Sequence, residues 1–347
     1  MKKLYFLFIF FSTLVFAQDT TQAEKKIREG ISLHDQGKYE EALSKYNEAL
    51  NADKNNPFAL AEKAMTLEAS KKYSEAVEVC ELIFKLYPNG DNKSVYVTYG
   101  NALDHSGKSD LAIKTYDEGI KKYPGYYQLY FNKAIALFNT KENEKAAEAF
   151  QTATKLNPDH AASYNALAVL DKSNRVASIL ASCRYLILDN KSTRAKVNLA
   201  SVVTLAKRGV SQKEDKTINV AVDQKSVDQI NKKTIVPNDF SITDVALTLA
   251  SALDYDEKNK DKTEVQKFAD KFTSICQTMK ESKKDKNGYY WDFLAPYFIE
   301  MNDKKLVEPF ANIIFLAIQN KDAIQYHEQR ADKVKEFYDW SKNYKWK

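Results

Sequence analysis

The sequence predicts an all-α protein: a solenoid of antiparallel helix pairs followed by an irregular α-helical C-terminal region. Three observations carry the prediction. The 347 residues include only 9 Gly and 7 Pro, few for an all-β or loop-rich chain, while the helix formers Ala, Lys, Glu and Leu abound. A block, GKYEEALSKYNEAL at 37–50, returns as KKYSEAVEVCELIF at 71–84, GKSDLAIKTYDEGI at 107–120 and KENEKAAEAFQTAT at 141–154. The first alanine of each block, Ala42, Ala76, Ala112 and Ala146, recurs at intervals of 34, 36 and 34 residues, a period that marks stacked helical hairpins.

Each block forms the second helix of a hairpin. Upstream lies a first helix with its own small residue: Gly30, Ala64, Gly100 and Ala134. Two helices approach closely only where the contact side chains are small. The small residue is therefore expected to face the alanine of its partner helix. Leu33, Leu67, Leu103 and Leu137 fill the space one turn away. Tyr46, Cys80, Tyr116 and Phe150 follow each alanine by four residues, on the same face. Ala49, Ile83, Gly119 and Ala153 are set against the next hairpin. The links, such as Gln36-Gly37-Lys38 and Ser106-Gly107-Lys108, are short enough to force antiparallel neighbours. Pro88, Pro124 and Pro158 follow the second helix, which proline cannot continue. Lys54 takes that place in the first copy.

On this small–Leu–Ala–aromatic–small–Pro pattern, residues 23–160 resemble four tetratricopeptide repeats, about 40% of the chain. The resemblance implies a right-handed superhelix of helix pairs with a concave groove that binds peptides or partner proteins.

Residues 161–208 read as a degenerate fifth repeat and an extra helix. AASYNALAVLDK supplies a first helix with Tyr164, Leu167 and Ala168, but the second helix has Leu180 in place of alanine and no closing proline. This unit is either a cap or the point where the regular array changes. Residues 209–240 are polar and read as a linker or insertion. The alternation Thr217–Val222 predicts a short strand or extended hook there. Residues 241–347 read as an α-helical region. It starts with a helix capped by the Ser241–Asp244 pattern, continues with helices near 264–281, 288–301 and 304–318, and ends with a long one near 321–343. Pro309 requires its helix to start late.

The first seventeen residues, MKKLYFLFIFFSTLVFA, have a positive start and a short apolar run, and Val15 and Ala17 suit cleavage before Gln18. A signal peptide cleaved after Ala17 is expected, with the mature protein periplasmic or secreted. The segment resembles those of exported proteins of Gram-negative bacteria. A retained N-terminal anchor is the alternative. No membrane span is expected, because no run reaches about 20 apolar residues. In a secreted eukaryotic protein, Asn92 and Asn190 would stand in glycan acceptor triplets.

The search for chemistry is negative, and neither a catalytic residue nor a metal or cofactor is expected. The net charge is +5, of which Lys2 and Lys3 supply two. Interspersed charges so close to balance argue against a nucleic-acid partner. Cys80, Cys183 and Cys276 are odd in number, widely spaced and set among apolar residues, so buried thiols are expected. His327-Glu328 begins like a zinc-protease helix, but Ala331 stands where the second histidine must be. His34-Asp35 and Asp104-His105 read as solvated helix ends. The tail EFYDWSKNYKWK interleaves aromatics with lysines and could touch a membrane surface, but Phe337, Trp340 and Tyr344 are spaced as one packed helix face.

The candidate site is the groove. In the fourth repeat Tyr130, Ala134 and Leu137 face their own hairpin, and Phe131, Ile135 and Phe138 form a second apolar line. A helix apolar on two stripes must be covered on two sides. In the family it resembles, that second face lines the groove. Ile27, Ile31, Phe58 and Met65 hold similar places in the first two repeats, and Asn101, Asp104, Asn132 and Asn139 add polar points. Such a groove suits an amphipathic helix or an extended peptide with hydrophobic anchors. Some tetratricopeptide domains hold a peptide's terminal carboxylate with two asparagines and three cations. Asn101 and Asn132 match the asparagines, but Val97, Ala162 and Ala166 stand where the cations belong, so such capture is not expected. Three states of the groove stay open: free for a partner, filled by the chain's own C-terminal helices, or closed by repeat packing. The expected function is that of an exported, non-catalytic scaffold or adaptor. The alternatives are a recruitment arm for a C-terminal ligand-binding or enzymatic module, and a membrane-peripheral envelope factor.

Overall fold

A computed structural model describes residues 22–214, 217–232 and 234–346. The expected signal segment lies outside them. The described chain divides into two compact units, 22–149 and 150–346.

The first unit is a run of helical hairpins: α1 (22–35), α2 (Tyr39–Ala52), α3 (Pro57–Ala69), α4 (Tyr73–Leu86), α5 (Lys93–His105), α6 (Ser109–Lys122), α7 (Tyr127–Asn139) and the start of α8 (Asn143–Leu156). Each link closes in the same way. The N–H of Lys38 donates to Leu33 O at 2.9 Å, Lys72 to Leu67 O at 2.8 Å, Lys108 to Leu103 O at 2.9 Å and Glu142 to Leu137 O at 2.9 Å. These bonds satisfy the last carbonyls of the first helix and need one left-handed residue just before the donor. Gly37 and Gly107 supply it at φ 74° and 77°, whereas Lys71 and Lys141 are held there at 65°. The repeat leucine thus gives both its side chain to the core and its carbonyl to the turn.

The hairpin contact differs from the expectation. The small residue of the first helix faces the bulky residue four after the alanine, not the alanine itself. A Cβ built on Gly30 would lie 2.5 Å from the Tyr46 ring, and one on Gly100 2.3 Å from the Tyr116 ring. In the second repeat Ala64 meets Cys80 within one buried cluster. A glycine is matched by a tyrosine and an alanine by a cysteine, which keeps the filled volume workable. Tyr130 is half-buried rather than core. Leu129 and Ala136 are the buried residues that join Ala134 and Leu137.

The second unit holds α9 (Ala161–Leu170), α10 (Arg175–Leu188) and α11 (Thr193–Lys207). After them come a two-stranded antiparallel ribbon, β1 (Val210–Gln212) and β2 (Ile218–Val220), and α12 (Gln224–Lys232). The stretch read as a linker therefore carries its own elements, and the predicted strand pairs with one just after α11. The helices α13 (Ser241–Ala252), α14 (Glu264–Ser282), α15 (Ala295–Asp303), α16 (Val307–Phe315), α17 (Lys321–Gln329) and α18 (Ala331–Asn343) complete the unit. Ser241 is the first residue of α13, not its cap. Asp239 accepts its N–H and hydroxyl at 3.0 and 2.5 Å. Pro309 sits in the first turn of α16, where its missing N–H is harmless. The expected long last helix is broken at Arg330 into α17 and α18.

The core of this unit is aromatic, with Phe268, Phe272, Phe298, Phe310, Phe315 and Phe337 all buried. The tail packs inward: Trp346 stacks on Tyr297 at 5.0 Å and 8°, and both rings lie 5.0 Å from the buried Arg184 guanidinium. Cys80, Cys183 and Cys276 are buried free thiols.

Candidate functional site

In the first unit the first helices form one layer and the second helices another. Neighbouring first helices touch directly, α3 with α5 and α5 with α7. Cross-repeat polar contacts tie this layer together. His34 Nδ1 meets Thr66 Oγ1 at 2.8 Å, His105 Nδ1 meets a Glu68 carboxylate oxygen at 3.1 Å, and Asn139 Nδ2 donates to Asp104 at 3.2 Å. The two His–Asp pairs expected at solvated helix ends thus supply His34, His105 and Asp104 to this ladder. Equivalent positions in successive repeats come into register, which the 34-residue period implies but does not chemically specify.

The groove residues fall into three groups. Phe58, Met65 and Phe138 are 73%, 39% and 44% exposed, so Phe58 is mostly open to solvent and the other two partly so. Ile31, Phe131 and Ile135 are half-buried. Ile27 departs from the expectation: it is buried at 7% in the core formed with Ala42 and Tyr46, so it holds the hairpin together instead of lining a surface. The polar points are engaged within the unit. Tyr116 donates its hydroxyl to Asn101 Oδ1 at 2.7 Å, Ser109 donates to Asp104 at 2.6 Å, and Asn132 donates to the Gln128 carbonyl at 2.8 Å. Asn101 therefore ties α5 to α6, while Asn132 is engaged within α7, before either serves any ligand.

Glu62 escaped the sequence analysis. It follows Phe58 by four residues and precedes Met65 by three, which puts all three on one face of α3. Burial pushes its carboxyl above the usual carboxylate range. His34 draws it back and Asp35 raises it further. Near it the fully buried Tyr46 hydroxyl makes no hydrogen bond of normal geometry among the described residues. Burial pushes Tyr46 up to about 12; the neighbouring Thr66 hydroxyl opposes the rise, and Glu62 and Asp35 add to it. The available signal was a carboxylate between two apolar groove residues at helical spacing.

No group of three or more His, Cys, Asp or Glu among the described residues could hold a metal ion, and no described helix is long and apolar enough to cross a membrane.

Tetratricopeptide-repeat family models match residues 33–96, 99–161 and 131–170. These segments are tetratricopeptide repeats. A small glutamine-rich tetratricopeptide repeat-containing protein of Dictyostelium discoideum is 32% identical over 127 residues, 37% of this chain. The chain spans 33% of that relative's length. Among solved structures, a thermophilic tetratricopeptide-repeat protein of Thermus thermophilus is 21% identical over 52% of this chain and 98% of its own, with a TM-score of 0.45. The second such domain of the human RPAP3 protein, solved with an HSP70 peptide, is 23% identical over 35% of this chain and 97% of its own, with a TM-score of 0.31.

Proposed function

We propose that this chain is an exported, non-catalytic scaffold or adaptor whose first-helix groove binds a peptide segment of a partner protein. The observation that supports it is the exposed apolar set Phe58, Met65 and Phe138, on the same layer of helices as half-buried Ile31, Phe131 and Ile135. Exposed aromatic surface is unfavourable in water and marks sites that another apolar surface covers. Export rests on residues 1–17, with their lysines, apolar run and small residue at position 17. The interior around Phe268, Phe272, Phe298 and Phe310 is aromatic, whereas Arg175, Arg208, Asp223 and Asp244 line one polar pocket beside α13, the feature a C-terminal ligand-binding module would need. The inward packing of Trp340, Tyr344 and Trp346 around Tyr297 counts against a membrane-binding tail.

The test is photo-crosslinking from position 58 in intact cell envelopes, with and without Phe131→Glu and Phe138→Glu, after circular dichroism and melting of each form. One specific adduct, lost in the doubly substituted protein while its fold is kept, is the expected result. An adduct pattern indifferent to both glutamates would remove the groove as the binding site. Early melting of the substituted protein would instead make those phenylalanines core. Mass spectrometry of the purified N-terminus checks export: Gln18 is expected, and an intact Met1 overturns cleavage.

A further inference from the structure

The groove has a charge character as well as an apolar one. Asp35, Glu62, Glu68 and Asp104 lie along α1, α3 and α5; Glu68 meets His105 and Asp104 accepts from Asn139, while Glu62 lies near Asp35 and His34. Among the described residues no lysine or arginine is ion-paired with any of these four carboxylates. Elsewhere in the unit ion pairs are common: Lys26 meets Glu48 at 2.7 Å, Lys133 meets Asp117 at 2.5 Å and Arg28 meets Glu24 at 3.7 Å. The cationic candidates beside the four are His34 and His105. His34 is already bonded to Thr66, and His105 has Glu68 at 3.1 Å.

The Glu62 side adds a second observation. The Tyr46 hydroxyl is fully buried, lies close enough to Glu62 and Asp35 to feel both, and has no hydrogen bond of normal geometry among the described residues. The Tyr46 hydroxyl is sealed from the groove, but the half-buried Glu62 carboxylate has no Lys or Arg ion pair among the described residues, and a cation entering from the groove would stabilise its charged form.

We propose that the groove of residues 22–149 takes a basic amphipathic segment of a partner protein. Its apolar side chains would meet Ile31, Phe58, Met65 and Phe131, and its Lys or Arg side chains would meet Glu62 and Asp104. The inference rests on the groove proposed above as a binding surface and assigns its ligand's charge. Phe58, Glu62 and Met65 stand at successive helical positions. The matching ligand therefore alternates apolar and cationic residues at three- to four-residue spacing, as one face of a helix does. Part of the attraction is electrostatic across a partly desolvated surface, so it weakens as salt rises.

The experiment measures fluorescence anisotropy with the full mature chain and two labelled peptides. One is an amphipathic Leu/Phe/Lys helix, and the other has the same apolar residues with Glu in place of Lys. Titrations run at low and at physiological salt. The basic peptide is expected to bind at least about tenfold tighter than the acidic one. Glu62→Gln should weaken it about three- to tenfold and flatten its salt dependence. Glu75→Gln, an equal charge change at an exposed position of α4, should leave it unaltered. Phe58→Ser removes an exposed side chain without touching the core and should weaken both peptides. Equal binding of the two peptides, no binding of the basic one, or indifference to Glu62→Gln overturns the charge assignment. If Phe58→Ser still weakens binding, the groove itself stands. If Phe58→Ser leaves both peptides unchanged, the groove is not the docking surface either.

Discussion

Gly100 offers a test of how these hairpins fit together. A Cβ there would lie 2.3 Å from Tyr116 Cε1 and 2.5 Å from Cζ, and the ring is 1% exposed, so it cannot swing aside. Gly100→Ala should gain about 1 kcal/mol of helix propensity but lose about 1–3 kcal/mol to overpacking. The net effect is a destabilisation of up to about 2 kcal/mol. Tyr116→Cys alone leaves a cavity and should cost about 3 kcal/mol or more, by analogy with truncating a buried aromatic. It also removes the 2.7 Å bond to Asn101, which is half-exposed and can turn to water. The double substitution reproduces the Ala64–Cys80 pair that the second repeat already uses. In the Tyr116→Cys background the clash is gone and the helix gain remains, so Gly100→Ala should change sign and stabilise by about 1 kcal/mol. Urea unfolding followed by far-ultraviolet circular dichroism measures the cycle. It is read at the transition that Tyr116→Cys shifts, because repeat arrays can unfold in parts. A Gly100→Ala effect equal in both backgrounds would refute size complementarity as the organising contact.

Other outcomes follow from single positions. Lys71→Gly or Lys141→Gly should raise the melting temperature, because each lysine is held at φ 65°, where a Cβ costs about 1–2 kcal/mol; a fall would mean that the lysine side chain matters more than its backbone. For Glu62 the folded carboxyl has a raised pKa through burial, with Asp35 adding to the rise. The native state therefore loses stability as pH rises from the unfolded value through the folded one. Glu62→Gln should stabilise at neutral pH and make no difference below the unfolded carboxyl range, which paired melts at pH 7 and pH 3 would show. Asp189 behaves oppositely. Burial raises its pKa, but hydrogen bonds from Ser192, Tyr185 and the Lys191 N–H outweigh that and hold it at about 2. Its contribution is present above the unfolded value and lost as pH falls toward 2, so Asp189→Asn should flatten the acid limb of the stability curve.

The periodic part of this protein was legible because every repeat states the same rule in side-chain volume. A small residue, a leucine, an alanine and an aromatic (a cysteine in the second repeat) recur at helical spacing, and the leucine also marks the carbonyl that closes the turn. What faces what was less legible. Spacing places Gly30 and Gly100 on the contact stripe, but only packing shows that the tyrosine ring, not the alanine, fills the space above them. The groove divides in the same way. Phe58, Met65 and Phe138 are apolar at positions where the hairpin does not need them, which a sequence exposes. Ile27 looks identical in a sequence, yet it lies in the core. Glu62 reads as an ordinary surface carboxylate until its burial is known.

In the C-terminal region apolar periodicity gives the helices and the ends of α14, Glu264–Ser282, but not the break of the last helix. Asp239, just before the α13 N-cap Phe240, accepts from Ser241, and the chain breaks at Arg330. By itself the sequence determined the repeats, their helices, the short turns and the lack of a recognisable catalytic motif, all of which follow from local spacing and volume. Only the tertiary structure decided which apolar residues stay exposed, which polar residues are taken up by the ladder between repeats, and which carboxylates are left without a cation. Burial and charge balance are sums over neighbours distant in the chain, and no local pattern contains them.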